Sequence, residues 1–185
     1  MSLTPVFLGL GSNIEREAHL LAGLEALAAL LPGLRCSPVF ESAAVGIKSG
    51  PFFNLVVMAQ TDLSLAELDH QLKRIEAENG RYAAQRKGLP LDIDILLYGS
   101  QVGVFEGLLL PREEILRNAF VLWPLALLEP EGMHPGVGRS FAELWRTAQI
   151  EQHLCPVPFA WRGRELTPAT LLQSCATPAN AKKPD

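Results

Sequence analysis

The stretch Leu91-Asp92-Ile93-Asp94-Ile95-Leu96-Leu97-Tyr98-Gly99 carries two carboxylates in a run that otherwise has the composition of a buried strand. Side chains alternate between the two faces of a strand, so Asp92 and Asp94 should point the same way. The same alternation predicts Tyr98 on the face of the aspartates and Leu97 on the opposite face. Cβ atoms two residues apart lie about 7 Å from each other, which lets oxygen ligands share hard cations. The stretch therefore predicts a cation at this strand.

Two ordinary acids on the solvated face of an edge strand are the alternative interpretation of this D-x-D pattern. No breaker interrupts the apolar run before Gly99. Such a run is typical of a central strand that is covered on both faces, more than of an edge strand. The pattern therefore favours a central strand whose polar face opens into a metal site.

Length, composition and charge limit the classes of protein that fit the chain. With 185 residues, 48% of them hydrophobic, the chain is long enough for one domain with its own core. We expect this domain at residues 1–150 and a C-terminal extension at residues 151–185, with a disordered end from residue 177. The formal net charge of −4 argues against a nucleic-acid partner, which requires a basic face, but allows a small anionic ligand.

The cysteines and the N-terminus bear on the compartment. Cys36, Cys155 and Cys175 are scattered, odd in number and without C-x-x-C spacing, so neither a disulfide framework nor a zinc site is predicted. No basic stretch followed by an apolar core opens the chain, and the longest apolar run is far shorter than the ~20 residues that span a bilayer. We expect a cytoplasmic monomer that binds small molecules and no membrane.

Strand and helix patterns alternate around the D-x-D stretch. The predicted elements are strands at residues 6–10, 35–45, 52–61 and 91–98 and helices at residues 15–31 and 65–79. A Gly-rich loop at residues 46–51 separates two of the strands, and Ser64-Leu65-Ala66-Glu67 is a capping-box pattern for the second helix. The order β-α-β-β-α-β predicts an α+β fold, a split βαβ sandwich with a mainly antiparallel sheet, both helices on one face, and C-terminal additions.

Several segments resemble one family in the right order and at nearly the right spacing. The resembling segments are Leu8-Gly9-Leu10-Gly11-Ser12-Asn13, Phe53-Asn54-Leu55-Val56-Val57, Ile75-Glu76 with Gly80-Arg81, the D-x-D stretch and Phe120-Val121-Leu122-Trp123-Pro124-Leu125. Over about residues 6–145, the chain is similar to the hydroxymethyldihydropterin pyrophosphokinases of folate biosynthesis. The fold of that family is the ferredoxin-like αβ sandwich that the element order predicts.

The resemblance implies a reaction and a set of site residues. The family transfers pyrophosphate from ATP to 6-hydroxymethyl-7,8-dihydropterin and releases AMP, and two Mg²⁺ ions are expected on Asp92 and Asp94. The implied catalytic residues are Arg81, Arg86, Asp92 and Asp94. The implied substrate-binding residues are Ser42, Ala43, Val45, Phe52, Asn54 and Phe120, where two aromatic rings would stack on the pterin. The implied nucleotide-binding residues are Glu76, Arg86, Lys87, Ile95 and Arg112.

The residues implied for the phosphates depart from the family pattern. Ala83 stands where the family has a second basic residue after Arg81, residues 86–90 are one residue shorter and lack an arginine, and Asn118 stands in place of an arginine. Three uncompensated charge-assisted contacts would cost about 4–9 kcal/mol. Two alternatives therefore stay open: a divergent pterin-binding module with weak or no kinase activity, and another ferredoxin-like enzyme that uses the same aspartates on a different phosphorylated substrate.

Overall fold

Ten strands and five helices occur in residues 2–46 and 48–175, the part of the chain that a computed structural model describes. The strands are β1 (Thr4–Ser12), β2 (Arg35–Cys36), β3 (Val39–Ser42), β4 (Phe52–Thr61), β5 (Asp92–Tyr98), β6 (Gly103–Phe105), β7 (Leu108–Leu110), β8 (Leu154–Val157), β9 (Ala160–Trp161) and β10 (Arg164–Glu165). The helices are α1 (Arg16–Leu30), α2 (Leu65–Glu78), α3 (Glu114–Arg117), α4 (Ala119–Leu128) and α5 (Phe141–Thr147). Ile47 of the predicted loop and the predicted disordered end, residues 177–185, lie outside the described residues.

The main sheet has the strand order β5-β1-β4-β3-β8, with β2 also paired to β4, and every pairing is antiparallel. β1 pairs with β4 along its whole length, from Thr4 opposite Thr61 to Ser12 opposite Phe53. The predicted strand at residues 35–45 is interrupted around Pro38, which has no N–H to donate to a ladder. The α+β fold and the β-α-β-β-α-β order of a ferredoxin-like sandwich are confirmed.

Helices cover both faces of the main sheet. As predicted, α1 and α2 lie on the same face, and their buried leucines form one core with the inward side chains of β1, β4 and β5. The helices α3, α4 and α5 cover the opposite face, where Val56 and Leu96 contact them. Among the helices of the described residues, none combines the length and the apolar composition that crossing a bilayer requires.

The start and end of α2 follow the sequence pattern. Ser64 Oγ accepts a hydrogen bond from the Glu67 backbone N–H, and the Glu67 carboxylate accepts one from the Ser64 N–H at 2.8 Å. This capping box satisfies two backbone donors that the helix leaves unpaired. The helix ends at Glu78, two residues before Gly80, whose φ of +82° favours glycine. The predicted capping box is confirmed.

A bulge in β5 changes the predicted alternation of its side chains. Leu8 pairs with Ile95 and Phe7 with Leu97, so Leu96 is an extra residue in the ladder. Leu97 consequently faces α4 together with Leu96, and Tyr98 faces α2. The predicted faces of Leu97 and Tyr98 are wrong because the bulge reverses the alternation after Leu96. The two aspartates precede the bulge and keep their common face.

The position of β5 in the sheet also differs from the prediction. β5 is an edge strand of the main sheet, not a central one. Its residues are apolar on both faces because both helical layers extend over it, with Ile93 and Ile95 packed on one side and Leu96 on the other. The Leu96 carbonyl accepts a hydrogen bond from the Arg112 N–H at 3.0 Å, so part of the outer edge is paired. An apolar run therefore indicates two covered faces and not a central position.

The C-terminal extension packs on the domain within the described residues. β8 pairs with β3 and forms the edge of the main sheet opposite β5. Thr167 is buried, and its hydroxyl oxygen accepts a hydrogen bond from the Val39 N–H at 3.0 Å. Arg162 contacts Glu25 of α1 at 2.7 Å. The extension is thus attached to two elements of the sandwich.

Two of the three cysteines are paired, contrary to the prediction. Cys155 of β8 and Cys175 form a disulfide, and Cys36 is free. The pair has a sequence separation of 20 residues and belongs to no short motif. The folded extension brings the two residues together, and this proximity is not encoded in their spacing.

Candidate active site

A cavity of about 220 Å³ opens beside the two aspartates of β5. Gly11 and Gly9 of β1 lie opposite Asp92 and Asp94 and line its floor. A Cβ atom on Gly11 would lie 3.0 Å from Asn54 Oδ1, so a side chain at this position would crowd the amide. The glycines of the opening strand therefore create the room in front of the aspartates.

Eight of the predicted site residues line this one cavity. They are Ser42, Ala43, Val45, Phe52, Asn54, Asp92, Asp94 and Phe120. Asn54 and Ser42 are both buried, and Asn54 Nδ2 donates a hydrogen bond to Ser42 Oγ at 2.7 Å. This bond fixes the orientation of the amide. The side of the cavity lined by these two polar residues and by the rings of Phe52 and Phe120 suits a flat heterocycle.

The two aspartates share a partly buried environment. The side chain of Asp92 is 32% exposed and that of Asp94 is 41% exposed. Burial, together with the charge of Asp94, raises the pKa of Asp92 to about 6, against the opposing effect of Arg81. Burial also raises the pKa of Asp94, and Arg112 opposes this shift. Keeping both carboxylates ionised therefore costs free energy, and a bound divalent cation would offset this cost. Carboxylate oxygens are ligands that Mg²⁺ prefers.

Two arginines lie next to the aspartates. Arg81 Nη2 is 3.4 Å from Asp92 Oδ1, and Arg112 Nη2 is 3.4 Å from Asp94 Oδ1 and 3.3 Å from Glu114 Oε1. Among the described residues, Arg81 Nε, Arg81 Nη1 and Arg112 Nε are buried and have no hydrogen-bond partner. Buried donors are rarely unpaired, and guanidinium N–H groups match phosphate oxygens well. The arrangement therefore fits a phosphorylated ligand beside the aspartates.

None of the predicted nucleotide-binding residues lines the cavity; Arg112, like Arg81, contacts an aspartate that does. Glu76 is buried next to β5, where its carboxylate accepts hydrogen bonds from the Ile93 N–H at 2.8 Å and the Tyr82 hydroxyl at 2.7 Å. The side chain of Ile95 lies in the core on the α2 face. Arg86 donates to the carbonyl of Arg81, and Lys87 is exposed. In the structure, Glu76 therefore supports the strand that carries the aspartates.

Asn13 positions the loop between α2 and β5, a role that the sequence analysis missed. Its Oδ1 accepts a hydrogen bond from the Leu89 N–H at 2.6 Å, and its own N–H donates to the Leu89 carbonyl at 3.1 Å. A Cβ atom on Gly88 would lie 2.7 Å from Asn13 Oδ1, and the φ of Gly88 is +127°, so this contact requires glycine. The Gly11-Ser12-Asn13 turn was the available signal.

Gln152 is a second residue that the sequence analysis missed. Gln152 Oε1 accepts a hydrogen bond from the Ala119 N–H at 2.8 Å, and Gln152 Nε2 donates to Asn118 Oδ1 at 3.1 Å. These bonds hold the first turn of α4, which carries Phe120. Asn118 is the residue that replaces a family arginine, and it lines the cavity. No pattern in the sequence marks Gln152.

Phosphoryl transfer needs in-line positioning and charge neutralisation more than a strong base. The cavity has room for a flat ring beside paired carboxylates, and buried guanidinium donors contact these carboxylates. The class of protein that this fold and cavity fit is therefore a phosphoryl-transfer enzyme built on a ferredoxin-like sandwich.

Comparisons with known proteins define the family. A family model described as 7,8-dihydro-6-hydroxymethylpterin-pyrophosphokinase (HPPK) matches residues 7–130. A 2-amino-4-hydroxy-6-hydroxymethyldihydropteridine pyrophosphokinase of Aquifex aeolicus is 37% identical over 136 residues, which are 72% of this chain and 85% of the relative. One of Pseudomonas aeruginosa is 37% identical over 152 residues, 79% of this chain and 93% of the relative. The chain belongs to the HPPK family.

Solved structures support the same fold. The HPPK-DHPS wild type of Plasmodium falciparum matches with a TM-score of 0.61 at 14% sequence identity, over 77% of this chain. The chain spans 44% of that longer protein. At this level of identity the likeness concerns the fold, and the family assignment depends on the sequence matches.

Proposed function

We propose that this chain transfers a pyrophosphoryl group from ATP to the hydroxymethyl oxygen of 6-hydroxymethyl-7,8-dihydropterin and releases AMP. The observation that carries the proposal is the single cavity in which Asn54 and two aromatic rings lie beside Asp92 and Asp94. Such a cavity can hold the ring and the phosphates within reach of each other, and proximity of this kind lowers the barrier of a two-substrate reaction. Membership of the HPPK family supports the same reaction.

The pterin side of the cavity consists of Ser42, Ala43, Val45, Phe52, Asn54 and Phe120. Phe52 and Phe120 would stack on the ring, and the Asn54 amide would bind its polar edge. The bond from Asn54 to Ser42 leaves Asn54 Oδ1 available on the Gly11 side of the cavity. The amide is oriented before the substrate arrives, so little conformational freedom is lost on binding.

The phosphate side of the proposed site consists of Asp92 and Asp94, which line the cavity, and of Arg81 and Arg112, which contact these aspartates. Asp92 and Asp94 would hold Mg²⁺, for which we propose two ions, and bound magnesium neutralises phosphate charge and orients the oxygens of the reacting group. Arg81 and Arg112 would turn their unpaired N–H groups to the phosphates. Arg86 and Lys87 lie in the same loop as Arg81 and would supply further positive charge. The new bond joins the hydroxymethyl oxygen to the β-phosphorus as the bond from that phosphorus to AMP breaks.

The proposal also covers the oligomeric state, the partners and the compartment of the chain. We propose a monomer as the working unit. Both substrates are small and polar, so no nucleic acid or membrane takes part. ATP is a co-substrate of cytoplasmic enzymes, and we place the chain in the cytoplasm for this reason.

A direct assay of AMP release tests the proposal. We expect AMP only when ATP, Mg²⁺ and the dihydropterin are all present, together with a pterin product whose mass has increased by one pyrophosphoryl group. Omission of each component in turn is the control. Absence of AMP and of the heavier pterin with all three components present would refute the activity.

A divergent pterin-binding module is the second candidate function. It is favoured by Ala83 and by Asn118, whose side-chain oxygen accepts a hydrogen bond from Gln152. Calorimetric titrations separate the two candidates. ATP binding that depends on Mg²⁺ supports the transferase, whereas pterin binding without measurable ATP binding supports the module.

A further inference from the structure

A cluster of soft metal ligands lies in the C-terminal extension. The Nε2 atom of His153 is 3.2 Å from the sulfur of Cys155 and 3.7 Å from the sulfur of Cys175. The three potential ligand atoms all lie within 4.8 Å of one another. One imidazole nitrogen thus faces both sulfurs. The cluster is separate from the two aspartates, and the proposed transfer reaction makes no use of it.

The backbone of the extension brings these side chains together. His153 and Cys155 are two residues apart at the start of β8, so their side chains share one face, while Leu154 between them is fully buried. Cys155 is fixed by the pairing of β8 with β3, where it lies opposite Glu41.

Cys175 follows a turn that has its own anchors. Leu171 packs on the apolar cluster that contains Leu154, and the Leu171 and Leu172 N–H groups donate to the Pro168 carbonyl. The Ser174 N–H donates to the Leu171 carbonyl at 2.9 Å. These contacts do not involve the disulfide, so the turn should keep Cys175 near β8 when the two cysteines are reduced.

We propose that His153, Cys155 and Cys175 bind one Zn²⁺ ion when both cysteines are reduced. Zinc prefers thiolate and imidazole ligands in a tetrahedron, with bonds of about 2.3 Å to sulfur and about 2.0 Å to nitrogen. Neighbouring ligand atoms of such a tetrahedron are roughly 3.5–3.8 Å apart, and the distances from His153 Nε2 to the two sulfurs are close to these values. Three protein ligands leave the fourth position to water.

The disulfide and the zinc site are alternative states of the same cysteines. A phosphine reductant converts the disulfide to two thiols and takes up one oxygen from water as it becomes a phosphine oxide. Zinc binding then displaces both thiol protons into solvent. Cytoplasmic thiols are kept reduced, so the compartment that we propose for this chain is the one in which the site would form. The oxidised chain should not bind the ion through these sulfurs.

Titration of the phosphine-reduced, full-length chain with Co²⁺ tests the site. Co²⁺ takes the same tetrahedral geometry, and its sulfur-to-metal charge-transfer band arises only from thiolate ligands. Cobalt bound at Asp92 and Asp94 gives no such band, so the readout is specific to the cysteines and independent of the proposed kinase activity. We expect the band to saturate at one Co²⁺ per chain and to disappear when Zn²⁺ is added.

Matched variants identify the ligands. Cys155→Ser and Cys175→Ser should each abolish the two-thiolate spectrum. Loss of an outer-shell partner alone weakens metal binding by ~10–100-fold, and His153→Ala, which removes a ligand, should weaken Co²⁺ binding by no less than this. Cys36→Ser and His70→Ala are the controls, because Cys36 is the free cysteine and His70 is an exposed residue of α2. Both controls should bind Co²⁺ like the wild type.

Three results would overturn the inference. They are the absence of a charge-transfer band in the reduced chain, a band of unchanged intensity in Cys155→Ser or Cys175→Ser, and an unchanged affinity in His153→Ala. Circular dichroism of each variant shows whether the fold is retained. Because all three side chains are at least partly exposed, we expect every variant to fold.

Discussion

The pterin side and the phosphate side of the proposed site differ in how many of their polar groups find hydrogen-bond partners within the protein. On the pterin side, Asn54 and Ser42 are buried and hydrogen-bonded to each other. On the phosphate side, Arg81 and Arg112 keep buried N–H groups without partners, and Asp92 has a pKa raised to about 6 by burial and by Asp94. We infer that the fold completes the pterin side, whereas the cation and the nucleotide complete the phosphate side.

The largest expected effect comes from removing a charge of the aspartate pair. Asp92→Asn and Asp94→Asn should each lower the rate of AMP formation by about 10²–10⁴-fold, because loss of metal-assisted charge neutralisation costs several kcal/mol. The thermal stability of the substrate-free variants should not fall, since each change removes a partly buried charge next to another one. Steady-state kinetics and thermal unfolding measure the two effects.

Asp69→Asn is the matched control for this pair. Asp69 lies on α2 and forms an ion pair with Lys73, away from the cavity. The activity of the Asp69→Asn variant should equal that of the wild type. If Asp92→Asn were as active as Asp69→Asn, the proposed metal binding by Asp92 on the phosphate side would be wrong.

Removal of an arginine should have the next largest effect. Arg81→Ala and Arg112→Ala should lower kcat about 10- to 100-fold, because a charge-assisted hydrogen bond contributes about 1.5–3 kcal/mol. The KM for the dihydropterin should change little, because neither guanidinium lines the pterin side. Arg117→Ala is the control, since Arg117 is exposed and pairs with Glu113 on the surface. Equal kinetics of Arg112→Ala and Arg117→Ala would contradict the role of Arg112.

A smaller effect is expected on the pterin side. Asn54→Ala should raise the KM for the dihydropterin by up to roughly tenfold, because it removes one hydrogen bond to the ring, which contributes about 0.5–1.5 kcal/mol. The KM for ATP should stay the same, which distinguishes a role in binding from general loss of structure. Ser49→Ala, in the exposed loop, is the control. A parallel rise of both KM values would remove the distinction between the two sides.

The smallest effect lies outside both sides and concerns stability alone. Hydrogen bonds from Arg162 and Trp161 lower the pKa of Glu25 from 4.5 to about 2, so the folded chain binds fewer protons than the unfolded chain between these pH values. The contribution of Glu25 to the free energy of unfolding is therefore present above about pH 4.5 and is lost as the pH falls towards 2.

Glu25→Gln tests this contribution. The variant should be slightly less stable than the wild type at neutral pH, with a difference that narrows as the pH falls through this range, and its kinetics should be normal. Denaturant unfolding across the pH range gives the comparison. A difference that stays constant with pH would show that the ion pair with Arg162 contributes nothing.

Local features of the fold could be predicted from the sequence. The capping box of Ser64 and Glu67 and the common face of Asp92 and Asp94 depend on residues within a few positions of one another. The bulge at Leu96 depends on how β5 pairs with β1, a strand more than 80 residues away. The alternation beyond Leu96 could not be predicted for this reason.

Residues of the site that depend on long-range packing could likewise not be predicted from the sequence. The resemblance identified Phe52, Asn54 and Phe120, which line one cavity. Gln152 has no pattern of its own, because its role arises only where β8 returns to the start of α4. The meeting of Cys155 and Cys175 depends on the same return of the chain. Long-range packing thus decides which residues the extension brings together and which of them contact α4.

The two hydrogen bonds of Gln152 connect the extension to the start of α4. They connect a residue beyond position 150 to Asn118 and Ala119, next to the ring of Phe120. Coupling free energies are reciprocal. If a bound pterin tightens the start of α4, it must protect the extension from hydrogen exchange and proteolysis, and loosening of the extension must weaken pterin binding by the same free energy. The stability of a segment outside the usual family pattern would then be coupled to pterin binding in the cavity.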